Sequence, residues 1–325
     1  MNRFPLLRLV AVVLALTALS VPAFAKDDAL SLVPANAVSV GMVKIADLRT
    51  SPLSGLLLQQ TDKMSTDGEA EKFLTEAGLS PAKDIDVLVV ATTPRTTLGA
   101  EADPLVIAEG RFSVERLTSA LVARGATKKG GYLLLPENEH GKDGTHPAVA
   151  FLSPSLAVAG TERAVAGAIE ARANGGTGFR TRGTLGIDLG RVDPTASAWA
   201  VVDVTRAQRL AKGGTIHTGK GNSGEALQAA LKSVSTVAVW AKDTGAALEL
   251  GAFGMSADTE TLALLEDTVR GALSALRLAV KDKSPEMVSV LRRFDVTRKN
   301  DTILVEGSIP AASIRELMAK KRAAK

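Results

Sequence analysis

The stretch SLAVAGTERAVAGAIEA, residues 155–171, reads as a short apolar strand that ends in glycine, turns on a threonine and continues as an amphipathic helix. The same order returns in TILVEGSIPAASIRELMA, residues 302–319. Gly160 matches Gly307 and Thr161 matches Ser308. A hydroxyl therefore falls where a helix N-cap belongs, and Pro310 falls in the first turn of the second helix.

The likeness extends upstream. LVPANAVSVGMVKIADL (32–48) lies over RVDPTASAWAVVDVTRA (191–207) without a gap, so that Val40 meets Trp199, Met42 meets Val201 and Ile45 meets Val204. Between these ends each half carries a helical region, a hairpin and another helix. In the first half the hairpin is DIDVLVVAT (84–92) with PLVIAEGRF (104–112), followed by a helix near 113–124. In the second it is VSTVAVWA (234–241) with AALELGAF (246–253), closed at Asp243-Thr244-Gly245 and followed by a helix near 257–280. On the helix VERLTSALVARGA the residues Val114, Leu117, Leu121 and Val122 form the apolar stripe, and Gly125 stands where the helix should stop.

Strands joined by tight turns make an antiparallel sheet, and amphipathic helices must cover a face of it. The expectation is an α+β protein of two similar units of antiparallel sheet, each covered by amphipathic helices. The first unit spans 26–173 and the second 191–325. The stretch 174–190, rich in Gly, Thr and Arg and without hydrophobic period, reads as a linker or exposed loop. A cleft between the two units is the expected ligand site.

Residues 1–25 have the layout of a secretory signal peptide: Arg3 and Arg8, an apolar core from Leu9 to Leu19, and the small-x-small triplet Ala23-Phe24-Ala25. Beyond it no apolar run approaches the roughly 20 residues that a helix needs to cross a bilayer. The expectation is a protein exported to the periplasm or beyond, with no transmembrane span once the signal is removed. Cysteine is absent, which excludes disulfides, thiolate metal sites, a cysteine nucleophile and lipid attachment through cysteine. Removal of residues 1–25 lowers the formal net charge from +4, because that segment carries two arginines and no acid. Basic and acidic side chains are interspersed and aromatics make up 3% of residues, so no nucleic-acid partner is expected.

Each chemical motif has a competing plain explanation. GGTIHTGKGN (213–222) satisfies GxxxxGK through Gly214, Gly219 and Lys220, but Gly221 stands where Ser or Thr should hold Mg²⁺, and the loop follows a helical pattern. It reads as a polar loop. Ser80-Pro81-Ala82-Lys83 fits the SxxK of penicillin-recognising enzymes, in which the lysine helps to activate the serine. The partner motifs are missing, and Ser-Pro also starts helices. His140 and His146, with Glu139 and Asp143, could hold Zn²⁺, although a polar hairpin loop accounts for them equally. Asp84 and Asp86 alternate at a strand start and would share one face as a paired-acid site, yet the aromatic platforms usual in sugar sites are missing. Trp199 and Trp240 lie in apolar runs and are expected in the core. No cofactor is expected.

The runs LVPANAVSVGMVKIADLRTSPL (32–53), FLTEAGLSPAKDIDVLVVA (73–91) and IAEGRFSVERLTSALVARGA (107–126) resemble a group of exported bacterial proteins built from a duplicated α+β unit, of the domain-of-unknown-function type. The resemblance implies the duplicated fold and the export signal. It implies no activity and no catalytic residue. The functional expectation is a non-enzymatic binding or interaction protein of the cell envelope, whose partner is an envelope protein or a small ligand. Sheet edges, the inter-unit cleft and the loops at 93–103, 136–147 and 212–224 are its expected contact surfaces. The alternative is an envelope serine hydrolase using Ser80 and Lys83.

Overall fold

The computed structural model describes residues 28–51, 75–95, 102–136, 146–176, 178–210, 234–282 and 284–323. After a 3-10 turn at Ala29–Leu32 the chain forms β1 (Ser39–Lys44), α1 (Ile45–Thr50), α2 (Pro81–Asp84), β2 (Ile85–Pro94) and β3 (Ala102–Gly110). It continues with α3 (Val114–Ala123), β4 (Thr127–Lys129), β5 (Tyr132–Leu134), β6 (Pro147–Ser153), β7 (Leu156–Thr161) and α4 (Glu162–Ala173). Two short helices, α5 (Phe179–Arg182) and α6 (Thr184–Asp188), lead to β8 (Ala198–Asp203), α7 (Val204–Leu210), β9 (Thr236–Asp243) and β10 (Ala247–Met255). The chain closes with α8 (Thr259–Val280), α9 (Pro285–Leu291), β11 (Asp295–Lys299), β12 (Thr302–Pro310) and α10 (Ala311–Ala323).

All these strands join one sheet in the order β11-β12-β10-β9-β8-β1-β2-β3-β7-β6-β5-β4, antiparallel throughout. The fold is α+β. Its centre is the ladder between β1 and β8, in which Val40 faces Val201, Gly41 faces Ala200 and Met42 faces Trp199. Shifting Ser39–Lys44 by 159 positions lands on Ala198–Asp203, so the two strands that the sequence alignment superposes also pair with each other. The strands are thus arranged about a local twofold axis that passes between Gly41 and Ala200. Outward from it, β2, β3, β7 and β6 are matched by β9, β10, β12 and β11. No cleft separates the halves at this point, because backbone hydrogen bonds join them.

Local signals explain most of the elements. Gly245 takes φ +77° in the Asp-Thr-Gly turn, and its N–H donates to the Asp243 carboxylate at 2.7 Å. Gly125 takes φ +91° and ends α3. Thr161 caps α4 by accepting from the Ala164 N–H, and Asp258 caps α8. Ser308 does not cap its helix. β12 stays paired with β10 through Pro310, which faces Ala247, so the strand runs past the expected cap and α10 starts at Ala311. On α3 the buried side is Leu117 with Val114 and Ala120, while Val122 is 44% exposed.

The 174–190 stretch is not an exposed linker. It folds as α5 and α6 and inserts Phe179 and Leu185, each 1% exposed, into the main core. A Cβ on Gly186 would stand 1.9 Å from the Phe179 carbonyl oxygen, so this glycine serves close packing.

Candidate functional site

One face of the sheet is closed. Val89, Ala91, Leu105, Ile107, Val158 and Val201 are all buried there, under the 3-10 turn, α4, α5 and α6. Trp199 and Trp240 face each other across β8 and β9 in the same layer, 9% and 8% exposed. Trp240 also packs on Phe253, with ring centroids 6.2 Å apart.

The other face is covered at its flanks. α3 packs over Ala108, Phe112, Phe151 and Ala157, and α8 packs over Val237, Val296, Ile303 and Val305. Between them a register row crosses six strands: Val106, Val90, Gly41, Ala200, Val239 and Ala252. Val90 and Val239, which the local twofold relates, are 44% and 48% exposed.

The outermost strands are poor templates for another chain. β4 is three residues long and carries Lys128 and Lys129, and β11 carries Asp295, Arg298 and Lys299, all exposed. Edge charges of this kind block strand addition.

The β4–β5 hairpin builds the feature closest to a ligand site. Strand alternation sends Lys128 and Lys129 to opposite faces. On the closed face, the Glu162 carboxylate accepts from Tyr132 Oη at 2.6 Å and pairs with Lys129 Nζ at 2.7 Å. The hydrogen bond from Lys129, then that from Tyr132, holds the Glu162 carboxyl below its ordinary range. The same hydrogen bonds to Glu162 push the titration of Lys129 and Tyr132 upward. This clamp ties the hairpin to the start of α4. On the open face the hairpin, β6 and α3 border an open cleft of about 270 Å³ lined by Val114, Thr118, Lys128, Leu133, Val149 and Phe151. Its lining is mainly apolar, and Lys128 is its cation. Among the described residues no carboxylate lies within ion-pair distance of Lys128.

Of the residues singled out in the sequence, Ser80, Lys83 and Asp84 share one short helical turn, and Asp86 follows on β2. Ser80 precedes the one-turn helix α2; its backbone N–H donates to Asp84 Oδ2 at 2.7 Å, and among the described residues its hydroxyl has no partner. Lys83 lies exposed on the same turn. Asp84 closes α2, so it does not share a strand face with Asp86. Asp86 pairs instead with Arg49 Nη1 at 2.5 Å and lies 3.8 Å from Arg111 Nη1. His146 is exposed. His140, Glu139, Asp143 and the Gly214–Gly221 loop lie outside the described residues. Among the described residues no three metal-ligating side chains converge. No helix among them is long and apolar enough to cross a membrane.

Two features escaped the sequence reading. One is the cleft, whose only sequence signal is the Lys-Lys-Gly-Gly-Tyr turn. The other is Asp103, 2% exposed on β3, which accepts from Arg95 Nε at 2.8 Å and Arg163 Nε at 2.7 Å. Burial opposes its ionisation, but hydrogen bonds from Arg95, Arg163 and Thr161 outweigh that and hold the carboxyl below its ordinary range.

No protein-family model matches the chain, and no curated protein matches it. Three crystal forms of the protein TP0453 are similar over 90% of this chain. Form I has 8% identity and a TM-score of 0.48 over 97% of its own chain. Form III has 10% identity and a TM-score of 0.49 over 98%, and form IV has 10% identity and 0.43 over 96%.

Proposed function

We propose that this chain is an exported, non-catalytic binding protein of the cell envelope, and that the cleft between α3, the β4–β5 hairpin and β6 is its ligand site. Residues 1–25 support export through their signal-peptide layout. Among the described residues the Ser80 hydroxyl has no partner and Asp86 is held by Arg49, which supports binding over catalysis, since acid–base and nucleophilic chemistry needs its groups within hydrogen-bond reach of one another. We read the halves 26–173 and 191–325 as two copies of one unit, joined by 174–190. The support is the ungapped 159-residue offset together with the local twofold at Gly41 and Ala200.

The observation that carries the binding assignment is the pairing of an apolar floor, formed by Leu133, Val149 and Phe151, with Lys128, which has no carboxylate partner among the described residues. Sites for small molecules combine these two elements. The test is a thermal-shift screen of compounds of about ten non-hydrogen atoms. It compares the full chain without residues 1–25 with its Thr118→Trp variant, whose indole would occupy the cleft. Compounds that raise the unfolding midpoint of the first alone support the site, because a ligand stabilises only the state that binds it. Compounds that raise both midpoints equally would place binding elsewhere and overturn it.

A further inference from the structure

The cleft described above also carries information about the chemistry of its occupant. We infer that it binds a small anionic amphiphile, with the acyl or aryl end on Val114, Leu133, Val149 and Phe151 and the anionic head at Lys128. This inference rests on the binding reading of the cleft.

Volume comes first. A space of about 270 Å³ lies just below the usual range for drug-sized ligands, which favours a small occupant. Polarity comes second. The apolar side chains come from three elements, α3, β5 and β6, and meet at one spot, which favours an apolar body. Charge comes third. The two adjacent lysines of β4 have different circumstances: Lys129 is neutralised by Glu162 on the closed face, whereas among the described residues Lys128 has no carboxylate partner. A bound carboxylate or sulfonate would supply that partner. A cationic ligand would meet like charge, and among the described lining residues no acid could offset it. The second half has no hairpin between α8 and β11, so the site belongs to the first half alone.

Isothermal titration calorimetry of the full chain without residues 1–25, using octanoate, octanol and octylamine, tests the inference. These probes share one chain length and differ in head charge. Octanoate is expected to bind about fivefold more tightly than octanol, the advantage of a solvent-accessible ion pair, and octylamine more weakly than either. Thr118→Trp is expected to weaken octanoate at least tenfold. Lys128→Glu, at an exposed position that should leave folding intact by circular dichroism, is expected to reverse the order of octanoate and octylamine. If octanol binds the wild type as tightly as octanoate, or Lys128→Glu leaves the order unchanged, the anionic assignment is wrong while the cleft stands as a site. If none of the three probes binds, or Thr118→Trp leaves octanoate binding unchanged, both assignments fall. Should Thr118→Trp fail to fold, the Lys128→Glu reversal decides the matter.

Discussion

The two halves of the sheet agree closely at the centre and differ at the flanks. Around the local twofold, Val40 and Met42 of one half meet Val201 and Trp199 of the other, and Val90 and Val239 occupy matching exposed positions. Away from it, the first half places the ten-residue α3 and a hairpin on its flank, whereas the second places the 22-residue α8 and then α9. The long helix buries Leu262 and Leu265 over β11 and β12. The short helix with its hairpin leaves a cleft. The shared elements build the scaffold, and the differing flank builds the candidate site.

Even within the shared scaffold, matching positions exchange volume. Ala91 faces Leu105 in the first half, and their counterparts are Trp240 facing Gly251. Large and small residues have traded strands. A Cβ on Gly251 would stand 2.0 Å from the Trp240 ring, whereas Leu105 is fully buried beside an alanine. Leu105→Ala is therefore expected to create a cavity and cost about 3 kcal/mol. Gly251→Ala overpacks its site and is expected to cost about 2 kcal/mol. Urea unfolding monitored by circular dichroism measures both. A near-neutral Gly251→Ala would mean that Trp240 relocates freely, and the volume exchange would lose its meaning.

An ion cluster joins β3 to α4 in the first half. Asp103→Asn leaves Arg95 and Arg163 beside a neutral side chain and is expected to cost about 3 kcal/mol at pH 7. Because the folded carboxyl titrates below its unfolded value, its contribution is complete above about pH 4 and fades as pH falls through the folded pKa. The gap between wild type and Asp103→Asn should therefore narrow below pH 4. Urea midpoints at pH 7 and pH 3 measure it, and a gap that stays constant would show that charge is not the source.

The smallest effects are expected where the halves match. Val90→Thr and Val239→Thr, on half-exposed positions of the open face, should each change stability by about 0.5 kcal/mol and by equal amounts. A clearly larger loss for one of them would break the symmetry of the central face.

Much of the fold was legible because it rests on short-range signals. The Asp-Thr-Gly turn, the glycine ending α3 and the Thr161 cap are all set by residues within a few positions of each other. The pairing of β1 with β8 is different, because alternation marks a strand and its faces without naming its neighbour. The stretch 174–190 misled for a related reason. Its glycines resemble those of a flexible connection, but Gly186 lets the backbone approach Phe179, and only the folded chain shows that contact. Pro310 likewise suggested a helix start, while the ladder to Ala247 kept it in the strand.

The candidate site was barely legible. Two adjacent lysines before Gly-Gly give no hint that one is neutralised by Glu162, 33 positions after Lys129, and the other left facing a cleft floored by Val149 and Phe151. By itself the sequence determined the two central hairpins, their turns and the main amphipathic helices, because local sterics and hydrophobic period act over neighbouring residues. Only the tertiary structure decided that the two halves share one sheet, that the connecting stretch is core, and that an apolar cleft opens beside Lys128. Those outcomes depend on which distant surfaces bury one another, and the residues that do so carry no mark of their partner.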